Sequence, residues 1–143
     1  MKNIALVDAG PVIALFDNSD KYHQKAKCKL EEYRSGVQGR VISTWPIITE
    51  VTYILKAHVH LEAQLDFLEW ICIGGIEIFD LNKEHLSRIV ELQRKYSNIP
   101  MDFADATLLI TAEALNINKV FSIDKDFSIY RIFGKRHFEN LMG

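Results

Sequence analysis

Four short apolar runs alternate with segments of helical periodicity, and this alternation limits the fold more than any other feature. The runs cover residues 3–7 (NIALV), 40–44 (RVIST), 76–79 (IEIF) and 119–123 (KVFSI). The first run is apolar on both faces, which is typical of a strand inside a parallel sheet. Strands that alternate with helices in this way predict an α/β domain with a parallel sheet, with one last short strand expected near Phe138.

Length and composition restrict the domain count and the class of protein. The chain has 143 residues with 48% hydrophobic and 25% charged residues, which predicts one globular domain over residues 1–143. The formal net charge of −2 argues against a polycation that coats nucleic acid, although it leaves room for a local basic patch.

The cysteines and the apolar segments indicate in which cellular compartment the protein is expected. Cys28 and Cys72 match no metal-binding or redox spacing, as expected in a reducing cytosol. Asp8 and Pro11 interrupt the apolar run at the N-terminus, which argues against a signal peptide. No stretch approaches the roughly 18 apolar residues of a membrane span. We therefore expect a soluble, cytoplasmic protein.

Two aspartates follow predicted strands directly. Asp8 ends the first run and Asp124 follows the fourth. In doubly wound α/β folds, ligands bind at the carboxyl ends of the strands, so both acids are well placed for chemistry.

Two further acids fall on or beside the apolar faces of predicted helices. Glu50 lies between Ile47 and Ile54, and Asp105 is in line with an apolar set of residues: Met101, Leu108, Leu109 and Ala112. No lysine or arginine shares the helix face of Glu50 within one turn. A lone buried carboxylate is costly, and it normally protonates, pairs with a base or binds a metal.

Each acid also has an ordinary structural explanation. Asp8 fits a turn, Asp124 and Asp126 fit an Asx turn, and Glu50 could bond a backbone group. Asp102 is a good N-cap, with Asp105 three positions on, where an acid completes a capping box.

Taken together, the four acids favour a metal site. The predicted fold brings Asp8, Glu50, Asp105 and Asp124 to one edge of the sheet, where their charges repel unless cations lie between them. A set of oxygen ligands without His or Cys selects Mg²⁺ or Mn²⁺. Such ions usually keep waters and bind phosphates, which indicates phosphodiester chemistry.

The chain resembles the PIN-domain ribonucleases, in particular the VapC-like toxins of toxin–antitoxin pairs. The resemblance is carried by four segments, IALVDAGPVIALFD, STWPIITEVTYIL, MDFADATLLITAEAL and VFSIDKDFSIYR, in that order and spacing. It implies a three-layer α/β/α fold with a central parallel sheet of four to five short strands. It also implies an endoribonuclease that uses one or two Mg²⁺ or Mn²⁺ ions, usually as a homodimer and often inhibited by a cognate antitoxin.

Site residues follow from the resemblance position by position. Asp8, Glu50, Asp105 and Asp124 match the family's acids, and Ser122 matches its hydroxyl residue. Asp102 is an additional acid of one subgroup. As contacts to the RNA backbone we expect basic residues on two segments, Lys21, Lys25, Arg131, Lys135 and Arg136. Tyr130 and Phe133 fit either base stacking or the core.

Other classes of protein remain possible. A phospho-receiver domain has clustered acids on a similar fold, but it needs an acid pair near the N-terminus. A dehalogenase-like phosphatase needs an aspartate at position 10, where the chain has glycine. A housekeeping RNA-processing nuclease and a non-catalytic RNA-binding regulator of the same family also fit. The RNA target, whether tRNA, rRNA or mRNA, stays open.

Overall fold

The structure is a computed structural model that describes residues 3–143, and a parallel β-sheet forms its centre. The strands are β1 (Ile4–Val7), β2 (Arg40–Ser43), β3 (Glu77–Ile78), β4 (Lys119–Phe121), β5 (Arg131–Ile132), β6 (Arg136–His137) and β7 (Glu139–Asn140). Five of them form one sheet in the order β3-β2-β1-β4-β7, with every neighbouring pair parallel. β5 and β6 form a separate antiparallel pair.

Six α-helices within the described residues flank this sheet. They are α1 (Ala9–Phe16), α2 (His23–Glu31), α3 (Trp45–Ile54), α4 (Leu61–Cys72), α5 (Leu86–Lys95) and α6 (Phe103–Leu115). α1 packs against α2, α3 and α4, and α6 packs against α3 and α5. The prediction of a three-layer α/β/α fold with four to five parallel strands is confirmed. Within residues 3–143, no helix combines the length and the apolar character needed to cross a membrane.

Local sequence explains where the helices near the site begin and end. Asp8 caps the first helix, since its side chain accepts a hydrogen bond from the Ala9 N–H. Pro46 lies in the first turn of α3, where its missing N–H costs nothing. Asp102 caps α6 through the Asp105 N–H, and Asn116 ends that helix in the left-handed conformation at φ 54°.

β1 and α6 form the centre of the core. Leu6 and Val7 on β1 are fully buried, as are Leu108 and Leu109 on α6. Every residue of α6 from 106 to 112 is buried, including Thr107. The Thr107 hydroxyl shares a hydrogen bond of 2.7 Å with Thr44. Because α6 is enclosed on all sides, the position of its first turn is fixed by the core.

The strand order reverses between β1 and β4, which creates a crevice at their carboxyl ends. The chain runs outward through β2 and β3 and then returns to the other side of β1. The Asp8 N–H donates to the Phe121 carbonyl at 3.0 Å, and this bond ties the two strand ends together. In open α/β sheets such a reversal is the usual place for a ligand.

A buried ion pair joins α5, α6 and the turn after β5. Glu113 accepts two hydrogen bonds from Arg88, at 3.0 and 2.8 Å, and one from the Phe133 N–H at 2.8 Å. The Glu113 side chain is only 8% exposed, so these partners satisfy a carboxylate that water hardly reaches.

Glu113→Ala should therefore destabilise the protein, because Arg88 and the Phe133 N–H lose their acceptor. We expect a loss of about 1–3 kcal/mol in the free energy of unfolding, measured by urea titration. Glu91→Ala is the matched control, since Glu91 contacts the same arginine at 3.6 Å but is 68% exposed. That control should change stability by less than about 0.5 kcal/mol, and equal losses in both variants would contradict this account.

Candidate metal centre

Asp8 lies at the carboxyl end of β1 and is held from two directions. Its Oδ1 accepts a hydrogen bond from the Ala9 N–H at 2.8 Å, and its Oδ2 accepts one from the Ser122 hydroxyl at 3.0 Å. The residue is only 7% exposed. A strand end, a helix start and a neighbouring strand thus fix this carboxylate in place.

Asp124 lies in the loop that follows β4, on the other side of the crevice. Its N–H donates to the Ser122 hydroxyl at 3.0 Å, and its Oδ1 accepts from the Asp126 N–H at 2.9 Å. The second bond is the predicted Asx turn. Ser122 therefore contacts both Asp8 and Asp124, which sets the distance between the two strand ends.

Asp105 reaches the same place from the first turn of α6. Its Oδ2 accepts a hydrogen bond from the Tyr130 hydroxyl at 3.2 Å. The Tyr130 ring is fully buried, and it packs edge-on against Tyr96 and Phe127 at centroid distances of 5.0 and 5.1 Å. The backbone of Asp105 is thus fixed by α6, and its carboxylate is fixed by the buried Tyr130.

The three aspartates converge at the crevice. Asp8, Asp105 and Asp124 each offer one carboxylate oxygen, and these oxygens all lie within 4.8 Å of one another. No basic side chain forms an ion pair with them within residues 3–143. Three carboxylate oxygens within this distance could together hold one hard divalent cation.

The local environment opposes ionisation of two of these acids. Burial raises the pKa of Asp8 to about 6, against the lowering effect of its bonds to Ala9 and Ser122. Burial and the nearby charges of Asp8, Asp102 and Asp124 raise the pKa of Asp105 to about 8. A bound cation would lower both pKa values, because it stabilises the ionised carboxylates.

Glu50 and Asp102 are placed at the margin of the centre. Glu50 is exposed, so the prediction that it points inward is wrong: the neighbouring positions Ile47, Ile48 and Val51 take the core face of α3. Partial desolvation and the charges of Asp102 and Asp124 still raise its pKa, which indicates that its carboxylate lies close to those acids. Asp102 is exposed and caps α6.

The sequence did not indicate two residues that support the centre. Tyr130 lies 25 positions from Asp105, and nothing in its surroundings distinguished a core tyrosine from a base-stacking one. Asn140 accepts from the Ser122 N–H at 3.2 Å and donates to the Ser122 carbonyl at 2.9 Å. Because β7 has only two residues, the sequence around Asn140 does not predict that this side chain bonds Ser122.

The predicted RNA-binding residues divide into separate groups. Lys25 lies beside Asp124 on the wall of a shared cavity, and the Lys21 ammonium lies 5.1 Å from the ring centre of Tyr22. The Arg131 guanidinium is engaged by three backbone carbonyls of residues 128–130. Lys135 is exposed.

Arg136 lies away from the acids. Its guanidinium donates to Asn116 at 2.9 Å, and Asn116 precedes β4. The acidic centre lies where β1 and β4 end, whereas this contact lies where β4 begins. Arg136 is therefore placed at the opposite edge of the sheet.

Asp105→Asn should keep or raise the melting temperature of the metal-free protein, because it removes a carboxylate whose ionisation the folded state opposes. The folded chain retains the Asp105 proton up to about pH 8 whereas the unfolded chain loses it near 3.8, so wild-type stability falls as the pH rises between these values. The advantage of the variant should grow from about pH 5 to about pH 8 in calorimetric scans.

Asp80→Asn, which removes an exposed acid, is the control and should track the wild type at each pH. A large loss of stability in Asp105→Asn at every pH would mean that Asp105 acts mainly as a structural residue of α6.

Comparisons with known proteins bear on the family and the fold of the chain. No relative is found among curated protein sequences. The solved structures include the toxin VapC20 from Mycobacterium tuberculosis, described as cleaving the sarcin-ricin loop, which is 19% identical at a TM-score of 0.73 over 88% of this chain and 93% of that one. They also include VapBC2 from Rickettsia felis, bound to a DNA fragment from its promoter, which is 16% identical at a TM-score of 0.65 over 96% of this chain and 98% of that one.

The family model for the PIN domain matches residues 5–132, a span that includes the three converging aspartates. Both solved structures share the fold at low sequence identity. The chain therefore belongs to the PIN-domain family.

Proposed function

We propose that this protein is a Mg²⁺- or Mn²⁺-dependent endoribonuclease. The observation that carries the proposal is the convergence of Asp8, Asp105 and Asp124 within 4.8 Å at the strand reversal of a PIN fold. Membership of the family and the likeness to VapC20, a toxin described as cleaving the sarcin-ricin loop, support the same activity.

The donor set fits a hard divalent cation. Asp8, Asp105 and Asp124 would hold it, with Glu50 binding directly or through water, and Asp102 and Ser122 would support them. The centre offers only oxygen atoms. The pKa values of Asp8 and Asp105 are raised in the absence of a cation. One or two ions fit this set. When bound, the metal would lower the pKa of a water and offset the charge that develops on the phosphate.

The chain's own residues hold the carboxylates ready for this role. Ser122 and the Ala9 N–H orient the two oxygens of Asp8, so that little reorganisation is needed on binding. Asp105 must give up its proton to become a ligand, and the Tyr130 hydroxyl stabilises the resulting anion. The exposed side of the centre, lined by Asp124 and Glu50, is where RNA would enter.

The proposed reaction is hydrolysis. Water attacks the scissile phosphorus, the bond from phosphorus to the 3′ oxygen breaks, and that oxygen takes up a proton. The products would be one RNA fragment with a 5′-phosphate and one with a 3′-hydroxyl.

For the biological role we propose the toxin of a toxin–antitoxin pair, with a cytoplasmic location. The likeness to VapBC2, and the large apolar side chains exposed on α3 and α4, support binding of an antitoxin or of a second copy of the chain. Tyr53 is 70% exposed, Trp45 54% and Leu61 48%. A housekeeping role in RNA processing is the second candidate, since it uses the same centre.

The gene next to this one distinguishes the toxin from the housekeeping nuclease. A small open reading frame for a DNA-binding protein beside this gene, whose product binds this chain and stops its activity, supports the toxin. Light scattering of the purified chain tests the homodimer in the same preparation, and a monomer at micromolar concentration would contradict it.

Asp8→Asn should abolish RNA cleavage, because it removes a buried ligand charge at the centre. With a labelled structured RNA and Mg²⁺ or Mn²⁺, we expect the wild type to cut and the variant to lose at least about 100-fold in rate. Chelator should stop the wild type.

Asp80→Asn, purified in parallel, is the control and should cut like the wild type. If wild type and Asp8→Asn degrade the RNA equally, the degradation comes from a contaminating nuclease and the proposal loses its support.

A further inference from the structure

A cavity of about 460 Å³ opens directly beside the acidic centre. Ser122 and Asp124 belong to both, so whatever fills the cavity lies next to a group bound at the centre. The remaining walls come from the start of α2, the loop after β4 and the C-terminal segment. The proposed hydrolysis does not itself use this space.

The walls of the cavity suit a flat aromatic ring. Tyr22 and Phe138 contribute half-buried rings and Ile123 contributes aliphatic surface, whereas Phe127 and Met142 lie behind them and are nearly fully buried. Phe127 is 1% exposed and packs edge-on against Phe138 at 5.4 Å, so a buried neighbour supports the Phe138 ring. Proteins that bind single-stranded nucleic acid use such aromatic surfaces to stack bases.

Two lysines bring positive charge to the same cavity. Lys25 projects from α2, and Lys125 directly follows Asp124 in the chain. Both residues are exposed, and neither forms an ion pair with another residue in the part of the chain that the structure describes. The cavity therefore combines an apolar wall with two lysines, next to a centre that is negative.

We propose that this cavity receives an unpaired nucleotide adjacent to the scissile phosphate. Its base lies against the aromatic wall, and its phosphate contacts Lys25 and Lys125. The inference rests on the proposed function and makes it more specific. A base inside a duplex is stacked on its neighbours and cannot enter the cavity, so only an unpaired nucleotide can fill it.

Salt dependence tests the lysine contacts. A 12-nucleotide single-stranded RNA is titrated into Asp8→Asn protein, which does not cut it, at several salt concentrations. Each phosphate that the protein neutralises on a single strand contributes about 0.7 to the slope of log affinity against log salt. Lys25 and Lys125 share one phosphate, so replacing both by alanine should lower that slope by about 0.7. A purely structural effect of the substitutions would weaken binding without this change of slope.

Lys27→Ala with Lys83→Ala is the matched control. Both lysines are exposed, Lys27 lies on the same helix as Lys25, and neither lines the cavity. This pair should leave the slope unchanged. Equal slopes in the cavity variant and the wild-type background would overturn the proposal.

Methyl NMR tests where the base lies. In the Asp8→Asn protein, the single-stranded RNA should shift the methyl signals of Ile123 and Met142, and a duplex of the same sequence should not. Ile73, which is 83% exposed and does not line the cavity, is the internal control. RNA binding without any shift at Ile123 and Met142 would also overturn the proposal.

The experiments distinguish a failure of the nucleotide cavity from a failure of the proposed ribonuclease activity. If the wild type cuts RNA with Mn²⁺ but the cavity lysines leave the salt slope unchanged, the inference falls and the ribonuclease stands. If the wild type does not cut any RNA, the proposed function falls, and the binding measurements then report only an RNA-binding cavity.

Discussion

The cost of removing clustered carboxylates from water is the constraint on which the rest of the structure depends. Asp8, Asp105 and Asp124 approach within 4.8 Å, and two of them are held where burial opposes their charge. An isolated domain gains no stability from this arrangement. It persists because the core fixes each acid from a different element: a buried strand, an enclosed helix and a loop tied back to the strand through Ser122. The fold thus holds three acids together at the crevice, and Asp124 leaves the crevice open to solvent.

The topology explains why this point lies where it does. A crevice forms at the carboxyl ends of two adjacent parallel strands when the chain leaves them toward opposite edges of the sheet. β1 and β4 are such a pair. The buried helix α6 then delivers its first turn to the crevice. The cavity beside Asp124 continues the crevice toward α2. The candidate metal centre and the proposed nucleotide site therefore form one surface with adjacent negative and positive parts.

Much of this architecture could be predicted from periodicity. The apolar run before Asp8 predicts a central strand, and the position of Asp105 among apolar residues of a helix predicts its inward direction. Glu50 shows the limit of that reasoning: it is one position from Val51, and a single step around a helix separates a buried site from an exposed one. Tyr130, Asn140 and Arg136 depend on how the C-terminal segment folds back on the sheet. Short strands of two residues carry too little pattern to predict those contacts.

The central claim is that Asp8, Asp105 and Asp124 together bind one divalent cation. The most direct measurement is an anomalous difference map from crystals of the protein soaked in Mn²⁺ near neutral pH. The account predicts a peak between the three side chains, with metal–oxygen distances of about 2 Å to each. A map without a peak at the crevice, or an ion there that Asp105 does not ligate because it stays protonated against Tyr130, would contradict it.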